Sequence, residues 1–323
     1  MPVKTLYIMS SPRGGSTLLS LVLGQHPRIA NLGEVCYIPK LLSLGEHCTC
    51  GSELRECSEW GRVFADLASR TGVDMRLTPY GLHLDDAMKW KDGTGKVDHK
   101  YQSRKRVALA RFRGAMDTIG LDIPRPIGGA WLTLPSLKEG ARNTMRLFSS
   151  AANVWDKDVI VDASKLPRKA VHLYREFPDD VRILHLTRDG RGVSASRMTQ
   201  NMPFERAVKR WKHYHSLTKK LLDKWVDPAH YYSMKYEEFT TDPELHMQEL
   251  CQWLGVPYDK QMLEFGQDTV MHSAGGNPTR FKLADEGIRP MDDRWRTKLT
   301  EENIRHFEEI AGGLNRGLGY PGI

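Results

Sequence analysis

The stretch Ser10-Ser11-Pro12-Arg13-Gly14-Gly15-Ser16-Thr17 brings a guanidinium, a glycine pair and a hydroxyl pair into one short segment. Glycines let backbone N–H groups approach an anion, and a helix starting just after them adds the partial positive charge of its N-terminus. Arg13 adds a full charge, and Ser16 and Thr17 add donors. The chemistry this set suits is a phosphate cradle; the plainer alternative is a glycine turn with an ordinary helix cap. The P-loop of nucleoside triphosphatases is a different pattern, GxxxxGK[ST], with its lysine directly before the hydroxyl. Here the basic residue precedes the glycines.

A second constellation lies in Leu184 to Arg197, LHLTRDGRGVSASR, where Arg188 follows an apolar run and Ser196 comes eight positions later. That pairing puts a cation and a hydroxyl on one side of a nucleotide pocket. Taken alone, Arg188-Asp189-Gly190-Arg191 reads equally well as a surface turn. A third piece is Asp162-Ala163-Ser164-Lys165, after the apolar run Val159-Ile160-Val161. It places Lys165 at the carboxyl end of a strand, where open sheets bind ligands; the alternative is an exposed lysine opening a helix.

The elements that must position these groups are legible as short apolar runs. Leu6 to Met9, Val159 to Val161, Val181 to Leu186 and Tyr231 to Met234 read as strands, each followed by polar or helical sequence. Ser16 to Gln25 reads as a helix with Leu18, Leu19 and Val22 inward, and Phe204 to Trp225 as a long amphipathic helix. Alternating strands and helices predict an α/β fold with a mostly parallel sheet covered on both faces. From about residue 66 to 153 the pattern weakens, and a mainly helical insertion is expected there to wall an acceptor pocket. The 323 residues, 40% hydrophobic and 27% charged, suit one globular domain with a real core. The net charge of +7 fits phosphate- or sulfate-bearing ligands, and no block of five or more Lys/Arg marks a nucleic-acid arm. The opening residues lack a secretory pattern and no apolar run is long enough to span a bilayer, so a cytoplasmic location without membrane insertion is expected.

Taken in order, these motifs resemble the family of sulfotransferases that use 3′-phosphoadenosine 5′-phosphosulfate (PAPS). The resemblance implies that Arg13, Gly14, Gly15, Ser16 and Thr17 hold the 5′-phosphosulfate, and that Arg188 and Ser196 hold the 3′-phosphate. Lys235-Tyr236-Glu237-Glu238-Phe239, with Asp242-Pro243 and Trp253-Leu254-Gly255-Val256-Pro257 after it, is similar to the family's Tyr-Glu-Asp-Leu segment and its helix, which places Tyr236 near the nucleotide. Gly276-Asn277-Pro278-Thr279-Arg280 and Asp293-Arg294-Trp295-Arg296 resemble the loop that closes over the cofactor, making Asn277, Arg280 and Trp295 cofactor-binding candidates. The fold implied is a P-loop-NTPase-like parallel sheet flanked by helices. Arg13 stands where the cytosolic enzymes of the family have lysine, and arginine there is usual in the tyrosylprotein, carbohydrate and bacterial branch. The change alters donor geometry at constant charge.

The activity implied is transfer of a sulfuryl group from PAPS to an acceptor hydroxyl of a carbohydrate or small natural product, with peptide tyrosine second. By analogy with phosphoryl transfer, this needs a base, cations and alignment, and no metal. His26-Pro27 followed by Gly33-Glu34 is similar to the tyrosylprotein enzymes, where the glutamate is the base, so Glu34 is the expected base, with His272 a weaker candidate. Lys165 and Arg13 are the expected stabilisers of charge. A P-loop kinase or nucleotide hydrolase is the rival from another class, and it would need the missing lysine and carboxylates for magnesium. A non-catalytic binder of PAPS is the third reading, in which Glu34 and Lys165 would not matter.

The five cysteines are Cys36, Cys48, Cys50, Cys57 and Cys251, an odd count that argues against a disulfide-built fold. Cys48-Thr49-Cys50-Gly51 and Cys57 lie close together, with Cys36 and His47 nearby. Zinc takes four ligands, commonly from CxxC pairs, and a CxC with one further cysteine matches that poorly. A structural or redox role is expected instead. Trp90 and Trp131 suggest packing ahead of sugar stacking in the insertion.

Overall fold

The computed structural model describes residues 4–84, 135–264, 271–281, 287–288 and 294–322. The chain opens with β1 (Lys4–Ser10), α1 (Ser16–Gly24), β2 (Ile29–Gly33), α2 (Ile38–Leu44) and α3 (Ser58–Thr71). Next come α4 (Pro135–Trp155), β3 (Val159–Asp162), α5 (Pro167–Glu176), β4 (Val181–Thr187), α6 (Gly190–Met198) and α7 (Phe204–Trp225). Then follow β5 (Tyr231–Lys235), α8 (Tyr236–Thr241), α9 (Pro243–Leu254) and the short helices α10 (Trp295–Lys298), α11 (Glu301–Phe307) and α12 (Gly313–Gly317).

The strands form one sheet in the order β2-β3-β1-β4-β5, and every pairing is parallel. A parallel sheet must be covered on both faces, and β1 shows how. Leu6 and Ile8 point into a core shared with α1 and α9, through Leu19, Val22, Leu250 and Leu254. Tyr7 and Met9 point the other way, into a core shared with α3, α4, α5 and α7, through Phe64, Phe148, Val171 and Leu222. No helix among the described residues is long and apolar enough to cross a membrane.

The order of strands decides where a ligand can sit. From β1 the chain passes over β3 to β2, whereas from β4 it passes outward to β5. Neighbouring strands whose connections leave in opposite directions open a crevice at their carboxyl ends, and open α/β sheets bind ligands there. The turn after β1 carries Arg13 and the turn after β4 carries Arg188, so both fall at this crevice.

Two features depart from expectation. Ile29–Gly33 is a fully buried strand that is not among the strands read from the apolar runs. Asn31 and Gly33 are poor strand residues, and the segment is extended because it lies between β3 and Ala274, whose N–H donates to the Leu32 carbonyl at 3.0 Å. The second concerns the span 66–153, expected as a helical insertion, both ends of which are helices packed into the core. Residues 66–71 end α3 and 135–153 belong to α4, and these helices pack on each other through the core residues around Trp60, Phe64, Leu147 and Phe148. Trp90, Trp131 and the rest of the expected acceptor wall from 85 to 134 lie outside the described residues.

Candidate active site

The glycine turn is built as an open helix start. Gly15 has φ +94°, in the left-handed region that favours glycine, and it begins α1 without a side-chain cap. The first N–H groups of this nine-residue helix therefore have no partner from within the helix or from a cap. A Cβ on Gly15 would run into the Tyr236 ring, so the first residue of α8 packs directly against the turn. The Arg188 guanidinium lies 4.8 Å from the centre of that ring and donates to the Arg13 carbonyl at 2.9 Å. Arg13, itself at φ +76°, donates through Nε to the Ser196 hydroxyl at 2.9 Å. Trp295 joins from α10: a Cβ added to Gly192 would lie 3.6 Å from both Trp295 and Arg188. Burial, and then the Arg188 charge, pull the Arg13 guanidinium below its ordinary pKa. Two like charges gathered beside a helix N-terminus are the setting for an anion.

The surface-turn reading of Arg188-Asp189-Gly190-Arg191 does not hold. Asp189 and Arg191 are buried and joined by paired hydrogen bonds of 2.9 and 2.6 Å, while the Asp189 side chain also caps α6 by accepting from Arg191 N. Arg191 in turn lies 4.3 Å from the Trp295 ring centre. Glu237 accepts the Asp189 N–H at 3.0 Å, and burial pushes the Glu237 carboxyl up.

A second group meets the other side of the same helix start. Glu34 follows β2 and donates its N–H to the Ala274 carbonyl at 2.7 Å, so the edge of the sheet aims it. Lys165 adopts φ +63° in the turn after β3. Buried Asp162 accepts from the Ser164 N–H at 2.8 Å and from the Ser164 hydroxyl, and that hydroxyl accepts from Cys36 N at 3.0 Å. From α7, the Tyr214 hydroxyl donates to the Lys165 carbonyl at 3.0 Å. This scaffold brings Lys165 Nζ and the Glu34 carboxylate into a mostly buried ion pair. Thr17, Gly276 and Arg280 line the same small cavity, and Arg280 is held by the carbonyls of Gly276 at 2.8 Å and His47 at 3.3 Å. Asn277 starts the turn that carries Arg280, its carbonyl accepting the Arg280 N–H at 2.9 Å.

Thus two halves of a candidate site meet the start of α1: Arg13, Arg188, Ser196, Tyr236 and Trp295 near Gly15, and Glu34, Lys165 and Arg280 near Thr17. Gly14, Gly15, Ser16 and Thr17 form the edge between them. His272 does not join either half. Its Nδ1 faces the sulfurs of Cys48 and Cys57, and the ring lines a separate cavity with Gln25 and His26. Asp162 and Ser164, from the segment already marked in the sequence, hold the Lys165 turn together with Tyr214, which no sequence signal marks. Arg197, Arg206, Lys209 and Arg210 line a cavity of about 750 Å³ beside Ser11 and Pro12. Arg197 lies near the end of α6, and on α7 the spacing of Arg206, Lys209 and Arg210 is that of any solvated helix face, so no sequence signal marks them.

The chain is similar to known proteins throughout this architecture. A relative from Aquifex aeolicus (strain VF5), described as an uncharacterized protein, is 22% identical over 265 residues, which is 81% of this chain. The match spans only 27% of that relative's length. Among solved structures, the sulfotransferase domain from the curacin biosynthetic pathway is 17% identical with a TM-score of 0.54, covering 99% of this chain and 98% of that one. The sulfotransferase domain from the Synechococcus PCC 7002 olefin synthase is 19% identical with a TM-score of 0.51, covering 96% of this chain and 95% of that one. Both share the P-loop-like α/β fold. The sulfotransferase family model matches residues 5–260, and with the greater part of its length so matched, the chain belongs to the sulfotransferase family.

Proposed function

We propose that this protein transfers the sulfuryl group of PAPS to the hydroxyl of a small-molecule or carbohydrate acceptor, with Glu34 as the base. The observation that carries the reading is the Glu34–Lys165 ion pair, set across the Thr17 end of the glycine turn. The donor fits the residues present. An uncapped helix start with left-handed Gly15 suits a phosphate group, and Arg13, Arg188 and Ser196 supply charge and donors beside it. Tyr236 and Trp295 offer aromatic surface for an adenine. PAPS, when bound, supplies a sulfuryl group already activated by its phosphate leaving group.

The remaining work falls to the chain. Glu34 accepts the proton of the acceptor hydroxyl, a role that contributes about 10²–10⁴-fold. Lys165 stands against Glu34 and offsets negative charge that grows during transfer, and Arg13 does the same from the turn. Nothing in this scheme calls on a metal at the reacting centre. The two neighbouring domains named above come from a biosynthetic pathway and a synthase, which agrees with a small-molecule acceptor.

The test is transfer of labelled sulfur from PAPS into glycan, small-molecule and peptide fractions, together with calorimetric binding of 3′-phosphoadenosine 5′-phosphate. Glu34→Gln is expected to bind the nucleotide as the wild type does and to lose about 100- to 10,000-fold in turnover. Unchanged turnover would remove Glu34 as base. Absence of nucleotide binding by the wild type would remove the donor. Label confined to peptide would move the acceptor to tyrosine.

A further inference from the structure

The sulfurs of Cys48, Cys50 and Cys57 and one nitrogen of His272 all lie within 4.8 Å of one another. The pairwise distances carry chemical information. Cys50 Sγ is 3.7 Å from Cys57 Sγ, and His272 Nδ1 is 3.8 Å from Cys48 Sγ and 3.3 Å from Cys57 Sγ. Ligands about 2.3 Å (sulfur) and about 2.0–2.1 Å (nitrogen) from a tetrahedral zinc are separated by about 3.8 Å for two sulfurs and about 3.6 Å for sulfur and nitrogen. The three spacings given thus lie within about 0.3 Å of tetrahedron edges, and the remaining pairs lie within 4.8 Å. A disulfide would need the two sulfurs about 2.05 Å apart, and all three cysteines are free.

We infer that Cys48, Cys50, Cys57 and His272 form a structural zinc site that ties the segment from residue 271 to 276 to the N-terminal half of the chain.

The surroundings are built for it. Gly51 at φ +89° closes a tight turn, in which Gly51 N donates to the Cys48 carbonyl at 3.0 Å, so that Cys48 and Cys50 face one point. Cys57 is the residue that opens α3, so the helix fixes where its sulfur stands. Thr49 fixes the chain on both sides of His272: its hydroxyl donates to the Met271 carbonyl at 2.5 Å and accepts from Ser273 N at 2.8 Å. Neither Cys36 nor His47 belongs to the cluster. The fourth ligand comes instead from far along the chain, which is why the CxC spacing gives no zinc pattern. All four positions are filled by protein, the mark of a structural rather than a catalytic zinc.

The site has a consequence for Glu34. Ala274, two residues beyond His272, pairs with β2 and accepts the Glu34 N–H, and Gly275 and Gly276 run beside the Glu34 side chain. Zinc would hold this segment in place from its other end.

The protein is purified without chelator, under a reductant that does not bind zinc, and its metal is counted by elemental analysis. The expected result is about one zinc per chain, released when the three thiols are titrated with a mercurial. Cobalt refilling of the zinc-depleted protein is expected to give the visible bands of a tetrahedral thiolate centre. Cys50→Ser and His272→Ala lose zinc, whereas Cys251→Ser, whose thiol lies against Met262, keeps it. Circular dichroism of Cys50→Ser separates loss of metal from loss of fold, and the thiol titration of the wild type does not depend on any variant. Zinc that stays well below one per chain even after refilling overturns the inference, as does a Cys50–Cys57 disulfide mapped in the native protein.

Discussion

At the scale of single residues, the site depends on backbone conformations that side chains make costly. Arg13 and Lys165 are non-glycine residues at φ +76° and +63°, one in each half of the candidate site. Lys165→Met keeps the size of the side chain and removes its charge. Turnover is expected to fall about 100- to 1,000-fold, the range for loss of one stabilising donor, with nucleotide affinity nearly unchanged; steady-state kinetics and calorimetry read the two separately. Gly15→Ala adds a methyl group at φ +94° against the Tyr236 ring. It is expected to cost about 1–3 kcal/mol of stability and to weaken nucleotide binding, seen in urea unfolding and calorimetry. The residue types at these positions are legible in the sequence, because the glycines and the cations cluster. Of their supports, Asp162 and Ser164 stand in the quoted segment that ends on Lys165, whereas Tyr214 is not legible, since it acts from α7 through a backbone contact with no motif of its own.

At the scale of elements, the turn after β4 is held by a buried charge pair. Arg191→Met leaves Asp189 buried without its cation and removes the stack on Trp295. The expected loss is about 3–5 kcal/mol, and the double variant with Asp189→Asn should recover part of it, as chemical denaturation will show. The edge of the sheet offers a separate check. Ala274→Pro deletes the N–H that reaches Leu32, and is expected to cost about 1–3 kcal/mol. Because Glu34 is aimed by the same pairing, turnover should fall by more than nucleotide binding does. Four of the five strands are evident from their apolar runs. β2 is not, because Ala30, Asn31 and Gly33 carry no strand signal until β3 and Ala274 give them partners.

At the scale of the whole molecule, the sheet encloses a pair of histidines that makes stability depend on pH. His185 in β4 lies 3.0 Å from His215 in α7, nitrogen to nitrogen, and both are buried. Burial, and then the Lys219 charge, push His185 down to about 4 from an ordinary 6.5. Burial, and then His185, push His215 well below that ordinary value. The unfolded chain thus binds more protons than the folded one below pH 6.5, so the stability present above 6.5 is lost as the pH falls towards 4. For His185 alone the loss is about 3 kcal/mol. Melting temperatures measured across this window should fall on acidification, and the slope should be shallower in His185→Gln.

What the sequence determined by itself was local: which runs make strands, where the first helix begins, and which cations and hydroxyls stand beside the glycines. Each of these follows from residue types a few positions apart, and such patterns survive without knowledge of the fold. What the tertiary structure decided was every pairing across long stretches of chain. Parallel strands are joined by crossovers rather than hairpins, so their order, and with it the crevice between β1 and β4, cannot be read from neighbouring residues. The same holds for Glu34 with Lys165, for Arg13 with Ser196, and for His272 with the three cysteines. In each case the partners lie more than a hundred residues apart, and the sheet and its edge bring them together.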